Sequence, residues 1–265
     1  MRERVRIGRS NIDAVSYEEA LERLVDLAEN PSGASQVVTP NAQHVVLLES
    51  DPYLRKIYSD AALVVPDGIS LVYAARLLGT PLKGRVTGVD VLQGLCDRAA
   101  ERGLSVFFLG GRRGAAEEAA ARLKCFHPKL KVAGTSCPPY GFHLREEGLN
   151  EVSRAILAAR PDILFVALGA PKQEYWIYEH GSRLGVPLSI GIGGSFEMIS
   201  GMTRRAPRWV QAAGFEWLFR LALEPRRLWM RYLIGNVQFV GIVLRQAFRR
   251  DEAAHGKSFK TEEGI

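Results

Sequence analysis

Short apolar runs of strand length alternate along the chain with longer segments in which apolar residues recur at helical spacing. Some runs, such as ILFVAL at 163–168, are continuous, which is typical of strands buried on both faces of a parallel sheet. This order predicts an α/β fold, a Rossmann-like, mostly parallel sheet with helices on both faces. Strands are expected at 5–7, 36–39, 61–65, 104–109, 131–135, 162–168 and 187–192, with helical segments that include 17–28, 42–58, 88–102 and 114–126.

Composition limits the class of protein. The 265 residues, 47% hydrophobic and 24% charged, leave room for one large globular domain and an appendage. Cys96, Cys125 and Cys137 form no CxxC pair and cannot all pair with one another, which indicates a reducing compartment. The N-terminal residues contain no apolar stretch of the kind found in a signal peptide, so we expect a cytoplasmic protein.

The positive charge is concentrated near the C-terminal end. Residues 204–250 contain ten arginines, two glutamates and no lysine, a net charge of +8, whereas residues 1–203 are neutral. Aromatic residues lie among these arginines, and this combination suits an anionic membrane surface or a lipid phosphate. The longest charge-free run, 232–244, has 13 residues, fewer than the roughly 20 that span a bilayer, so we expect it to lie on a membrane. An amphipathic helix packed on the body, with solvated arginines, explains the same pattern.

These differences divide the chain into three parts. We expect a Rossmann-like domain at 1–202, an arginine- and aromatic-rich appendage suited to a membrane surface at 203–250, and a polar tail at 251–265.

Glycine or a short polar side chain follows five of the expected strands, where ligands bind in open α/β sheets. The segments are TPN at 39–41, PDG at 66–68, GGRRG at 110–114, GAPKQ at 169–173 and GGS at 193–195. Glycines let backbone N–H groups approach a phosphate, although GGRRG also suits a tight turn between strand and helix. The candidate nucleotide-binding residues are Gly110, Gly111, Gly114, Gly169, Gly193, Gly194 and Ser195.

Common catalytic fingerprints are missing. GGRRG and GIGGSF match neither GxGxxG nor GxxxxGK[ST], and no GxSxG occurs. A nicotinamide-dependent oxidoreductase, which the sheet alone suggests, is therefore disfavoured. The five histidines have no HxH or HxxxH spacing and no DxD is present, so we expect no metal and no cofactor. If a nucleotide diphosphate is the leaving group, backbone amides and arginines must stabilise its charge instead.

The polar side chains at the strand ends each have two interpretations. Asp67 follows an apolar run and precedes glycine, so it can accept a proton from an attacking hydroxyl or cap the helix that begins near Ile69. Thr39 and Asn41 can likewise contact a ligand or cap the following helix. Gln173 can bind a sugar or lie on a solvated helix face.

Together these segments resemble the WecG/TagA/CpsF family of bacterial glycosyltransferases. The matches run in order over roughly residues 35–235, and the rarest are TPNxQ, PDG, GAPKQE and EPRRLWxRY. The resemblance implies an inverting, metal-independent enzyme that moves a sugar, often N-acetylmannosamine or its uronic acid, from a UDP-sugar to a polyprenyl-diphosphate-linked sugar. It implies a peripheral protein at the cytoplasmic face of the membrane, in cell-surface polysaccharide synthesis. The donor sugar, the acceptor sugar and the oligomeric state, including a homo-oligomer, stay open.

The resemblance also implies roles for single residues. Asp67 matches the family's base, and the family's pocket residues match Thr39, Asn41, Arg85 and Gln173. Glu197 stands where many relatives have aspartate, so its contact to the nucleotide is an open question. The arginines matched to binding of the acceptor diphosphate are Arg220, Arg227 and Arg231.

A nucleic-acid-binding protein is the alternative from another class, since basic segments bind phosphates nonspecifically. It leaves the strand-end glycines and Asp67 without a function, and no lysine accompanies the arginines. We therefore expect no nucleic acid among the partners.

Overall fold

The structure, a computed structural model, describes residues 3–212, 215–223 and 225–259. Side chains at 143, 208, 212, 220, 226–228, 230–233 and 250–259 lie outside that description. The strands are β1 (Arg4–Ile7), β2 (Ser10–Asp13), β3 (Ser35–Val38), β4 (Leu63–Val64), β5 (Ser105–Gly110), β6 (Lys131–Ser136), β7 (Ile163–Ala167) and β8 (Leu188–Gly191). The helices are α1 (Tyr17–Glu29), α2 (Ala42–Ser50), α3 (Pro52–Asp60), α4 (Ile69–Leu77), α5 (Gly88–Arg102), α6 (Ala115–Phe126), α7 (Glu146–Ala159), α8 (Lys172–Leu184), α9 (Ser195–Ile199), α10 (Arg208–Ala212), α11 (Glu216–Leu223) and α12 (Pro225–Phe259), with a 3₁₀ turn at Phe142–Leu144.

Six strands form one parallel sheet in the order β4-β3-β8-β7-β5-β6. In its centre, Phe165 of β7 pairs with Ile190 of β8 on one side and with Phe108 of β5 on the other. Every residue of β7 is buried, as its continuous apolar sequence predicts. The predicted strands all form, each with bounds within two residues of those expected.

Helices cover both faces of this sheet, so the predicted fold class is confirmed. Helices α1, α5 and α6 pack on one face, around strand residues such as Phe108 and Phe165. Helices α7 and α8 cover the other face beside Phe107 and Leu164, and α2, α3 and α4 continue that layer beside Val64. The carboxyl ends of the parallel strands stay open between the two layers.

Two local features differ from the prediction. The segment expected to be helical at 42–58 is two helices, because Pro52 begins α3 and Asp51 caps it by accepting a hydrogen bond from Leu54 N at 2.8 Å. Strand β2, which pairs antiparallel with β1, was not predicted because its sequence SNID has a single apolar residue. Buried Asp13 holds β2 in place by accepting from Arg4 Nε at 3.0 Å and from Val64 N at 2.8 Å.

The C-terminal helix α12 packs along α2. Phe239, Ile242 and Val243 are buried in the cluster that also contains Val45 of α2. This contact agrees with the second interpretation of the C-terminal segment, an amphipathic helix packed on the body. Gln246 reaches the β1–β2 turn, where it accepts from Gly8 N at 2.7 Å and donates to the carbonyl of residue 6 at 2.8 Å. Among the described residues, no helix combines the length and apolar character needed to cross a membrane. The tail expected at 251–265 is helical as far as residue 259, and residues 260–265 lie outside the description.

Candidate active site

A cavity of about 1070 Å³ opens at the carboxyl ends of the parallel strands. Its floor and walls come from the segments that follow β3, β4, β5, β7 and β8, as the strand-end motifs predict. The candidate site residues that line it are Thr39, Asn41, Asp67, Arg85, Gly111, Gly169, Gln173, Gly193, Gly194, Ser195 and Glu197. The structure therefore brings eleven candidate residues from distant parts of the chain to one place.

Asp67 lies in the wall just after β4. Its Oδ1 accepts a hydrogen bond from Gly88 N at 2.9 Å, at the beginning of α5. The expected alternative, that Asp67 caps α4, is wrong, because Gly68 is the residue at the N-cap and α4 has no side-chain cap. This hydrogen bond fixes the Asp67 carboxyl group in the wall of the cavity.

Thr39 and Asn41 differ in what they hold. The Thr39 hydroxyl donates to the carbonyl of Gly191 at 2.8 Å and ties the ends of β3 and β8 together. Asn41 caps α2, because its Oδ1 accepts from Gln43 N at 3.0 Å. Its own backbone N–H donates to Nδ1 of His44 at 3.1 Å. Asn41 thus serves as a cap and also faces the cavity.

Gln173 does not lie on a solvated face, since only 2% of it is exposed. Its Oε1 accepts from Gly193 N at 3.0 Å, and its Nε2 donates to Oε1 of Glu174 at 2.9 Å. A Cβ at Gly191 would lie 2.6 Å from Gln173 Nε2, so a glycine is needed where this amide crosses the end of β8. Hydrogen bonds at both the oxygen and the nitrogen of its amide therefore fix Gln173 in the wall of the cavity.

The glycines of the loop after β5 have different positions: one lines the cavity, and the others lie behind it. Gly111 lines the cavity, whereas Gly110 and Gly114 are not among the lining residues. A Cβ at Gly110, where φ is +94°, would lie 2.7 Å from the carbonyl oxygen of Ala167. Beside this loop, Glu197 accepts from Arg112 N at 2.9 Å. Gly110 thus permits the close approach of β5 and β7 that brings Gly111 to the site.

Arg85 connects the wall to the C-terminal helices. Its guanidinium lies 3.0 Å from Glu216 Oε2 in α11 and donates to Gln211 Oε1 in α10 at 3.3 Å. Its side chain is 18% exposed, so this ion pair is partly shielded from water. The other three candidate arginines, Arg220, Arg227 and Arg231, lie in α11 and α12 with side chains outside the described part of the structure.

Away from the strand ends, the same cavity is apolar. Helix α4 contributes Tyr73 and Leu77, and α12 contributes Val240 and Leu244, all of them substantially exposed. Phe215, just before α11, lines it as well. The cavity thus has a polar end at the sheet and an apolar groove between α4 and α12.

Comparison with known proteins identifies the chain. The model of the Glycosyl transferase WecG/TagA/CpsF family matches residues 5–253. The chain belongs to this family of glycosyltransferases. It is similar to an N-acetylglucosaminyldiphosphoundecaprenol N-acetyl-beta-D-mannosaminyltransferase of Bacillus spizizenii strain W23, 34% identical over 209 residues that cover 79% of this chain and 78% of the relative. The protein of the same name from Bacillus subtilis strain 168 is 32% identical over 196 residues, 74% of this chain and 73% of the relative. The resemblance and the enzyme class predicted from the sequence are confirmed.

The sequence did not single out two side chains that support the wall of this glycosyltransferase. Both are buried, Glu174 with 1% and His44 with 4% exposure, and His44 also lines the cavity. Glu174 is the last residue of GAPKQE, and His44 directly follows TPNxQ. An acid in the first turn of a helix usually faces solvent. Glu174 is buried instead because α8 packs on the sheet. Nearby, burial and the charges of Glu174 and Asp67 raise the pKa of the Tyr58 hydroxyl, which therefore keeps its proton.

No group of three His, Cys, Asp or Glu side chains within the described residues is arranged to hold a metal ion. A metal-free reaction stays a prediction that activity measurements must test.

Proposed function

We propose that this glycosyltransferase moves a sugar of the N-acetylmannosamine type, its uronic acid or a related hexose, from a UDP-sugar to a sugar carried on polyprenyl diphosphate. The names of the two relatives described above specify transfer of N-acetylmannosamine to an N-acetylglucosaminyl-diphosphoundecaprenol. Identity above 30% over most of each chain supports the same reaction class here.

One observation carries this proposal: polar strand ends and an apolar groove lie in a single cavity. The polar end offers backbone amides at glycines, as nucleotide diphosphates require. The groove offers uncharged side chains from α4 and α12, where isoprene units can be shielded from water. A purely water-soluble acceptor would leave those apolar side chains without a partner.

The wall supports a single-displacement mechanism. An acceptor hydroxyl attacks the anomeric carbon of the donor while the bond from that carbon to the UDP oxygen breaks, so the configuration inverts. The hydroxyl proton passes to the Asp67 carboxylate, which the amide of Gly88 keeps in place. Arg85, which lines the cavity, stabilises the charge that develops on UDP.

The C-terminal helices supply the contact with the lipid. Arg220, Arg227 and Arg231 are proposed to bind the acceptor diphosphate, because guanidinium pairs with phosphate oxygens through two parallel hydrogen bonds. Exposed Trp209, at 74%, and the excess of arginine suit an anionic bilayer surface. We therefore place the enzyme peripherally on the inner face of the membrane.

The test is a transfer assay with purified protein, a panel of UDP-sugars and a short-chain polyprenyl-diphosphate N-acetylglucosamine acceptor, followed by mass spectrometry. We expect a disaccharide product with one UDP-sugar, and the same rate in excess EDTA. Absence of product from every donor, with duplex DNA binding that weakens steeply with salt, would favour the nucleic-acid alternative.

A further inference from the structure

Glu174 is a carboxylate buried beneath the wall of the site, in the first turn of α8. Only 1% of its side chain is exposed, and Oε2 has no hydrogen-bond partner in the described part of the chain. Burial of a charge is unfavourable unless other groups bind it. An apolar side chain would fill the same space without that cost, so the contacts of the other oxygen, Oε1, must explain the presence of Glu174.

The first of these contacts fixes Gln173. Oε1 of Glu174 accepts a hydrogen bond from the NH₂ group of the Gln173 amide at 2.9 Å. The amide oxygen is thereby turned toward Gly193, whose N–H donates to it at 3.0 Å. Gly193 has a φ of +55°, and this hydrogen bond holds it at the mouth of the cavity. The orientation of one amide thus sets the position of the Gly193–Gly194 turn.

The second contact reaches Asn41 on the opposite side of β8. Nδ1 of His44 lies 3.1 Å from the backbone nitrogen of Asn41 and 3.0 Å from its Oδ1, so the ring can bond to Asn41 in either tautomer. Nε2 lies 3.6 Å from Oε1 of Glu174, too far for a hydrogen bond but close enough for electrostatic attraction. The imidazole ring therefore connects the carboxyl group of Glu174, beside Nε2, to Asn41, beside Nδ1.

We propose that Glu174 and His44 are positioning residues for the donor nucleotide. One buried oxygen orients Gln173 and His44, and these hold the Gly193–Gly194 turn and Asn41 on two sides of the nucleotide. Glu174 is not among the cavity-lining residues, whereas His44 is, so Glu174 acts only through its neighbours. The inference rests on the proposed function and adds the residues that shape its donor subsite.

The test compares the full-length chain with Glu174→Met, Glu174→Gln and Gln173→Met. For Glu174→Met we expect kcat/KM for the UDP-sugar to fall about 10- to 100-fold, as for a small misplacement in a binding site, with a parallel loss of UDP affinity in calorimetry. KM for the lipid acceptor should stay unchanged. Glu174→Gln keeps an oxygen that accepts from Gln173, so it should recover part of the loss.

A double variant separates positioning from bulk stability. If Glu174 acts through Gln173, the Gln173→Met/Glu174→Met pair should lose less than the product of the two single losses. Ser189→Ala is the matched control, since Ser189 is also buried and its hydroxyl has no hydrogen-bond partner among the described residues. It should leave all kinetic constants unchanged. Thermal unfolding shows that each variant is folded.

Wild-type kinetics in a folded Glu174→Met protein would overturn the inference, as would fully multiplicative losses in the double variant. A wild-type chain that binds UDP but transfers no sugar would overturn the proposed function alone, because the UDP-binding series still decides the role of Glu174. Absence of UDP binding would overturn both.

Discussion

The cavity wall formed by the segments after the parallel strands and the helices beside it are held in place by different interactions. In the wall, Thr39, Asp67 and Gln173 each bond to a backbone atom of a neighbouring segment. We call 208–223, which contains α10 and α11, the cover. Ion pairs connect the cover and the loop before it to the body, through Arg85–Glu216 at 3.0 Å and Arg205–Asp90 at 2.7 Å.

This contrast separates two kinds of recognition. Side chains of the wall bond to the backbone of the chain itself, which suits the precise placement of a reacting group. The cover exposes large aromatic side chains, with Trp209 at 74% and Phe215 at 53%. Large apolar surface of this kind marks a contact with another phase or molecule. Under the proposed function, the hydrogen-bonded wall would hold the donor and the cover would meet the lipid-linked acceptor.

The largest effect should come from the wall. Asp67→Asn keeps an oxygen that can accept from Gly88 N but cannot take up the hydroxyl proton, so we expect turnover to fall about 10²- to 10⁴-fold. UDP affinity, measured by calorimetry, should stay nearly intact. Asp60→Asn, an exposed acid paired with Lys56, is the control. A variant with more than a tenth of wild-type turnover would mean that Asp67 is not the base.

The arginines of the C-terminal helices should give the next largest effect. Each charge-assisted contact to a diphosphate contributes about 1.5–3 kcal/mol, and neighbouring losses are less than additive. We therefore expect the triple change of Arg220, Arg227 and Arg231 to glutamine to lower transfer to lipid acceptor about 10²- to 10³-fold. Liposome sedimentation should weaken and UDP affinity should not. Parental transfer and sedimentation would mean that these arginines are structural.

The apolar groove predicts a dependence on acceptor chain length. Leu244→Gln should raise KM about tenfold for acceptors with several isoprene units, since burying a leucine contributes roughly 1.5–3 kcal/mol. An acceptor with a very short chain should show little change. Val237→Gln is the control, because Val237 is exposed on the same helix and is not among the cavity-lining residues. Equal effects of the two changes at all chain lengths would exclude a lipid site in the groove.

The ion pair between wall and cover should have the smallest effect. Glu216→Gln removes the charge that neutralises Arg85, so UDP affinity should rise about two- to fivefold, in keeping with the modest energy of partly exposed ion pairs. Glu146→Gln, a similar charge change on α7, should leave the affinity unchanged. A fall in UDP affinity would show that Glu216 supports the donor site.

Much of the fold follows from local sequence. The continuous apolar run of β7 and the helix spacing of α5 require no knowledge of distant residues. Strand β2 could not be predicted, because its stability comes from Asp13 and its bonds to Arg4 and Val64. A buried acid bonded to a residue fifty positions away leaves no periodic pattern.

The site shows the same division. Glycines and polar residues after strands predict the cavity, because strand polarity brings their ends to one edge. The contacts of individual side chains were harder to predict. Whether Asp67 bonds to α4 or to α5, and whether Gln173 is solvated or buried, depends on the angle at which neighbouring helices pack. The sequence alone leaves such angles undetermined.

Gln246 has a consequence for how the protein is made. It bonds to the turn between β1 and β2, and Ile242 packs in the cluster that contains Val45. The ribosome releases the β1–β2 hairpin well before this part of α12, since Gly8 and Gln246 are 238 positions apart. Until α12 is made, the apolar surface of α2 that it buries is exposed, and such surface favours aggregation of nascent chains. The hairpin and α2 thus acquire this neighbour only after every strand of the parallel sheet has been synthesised.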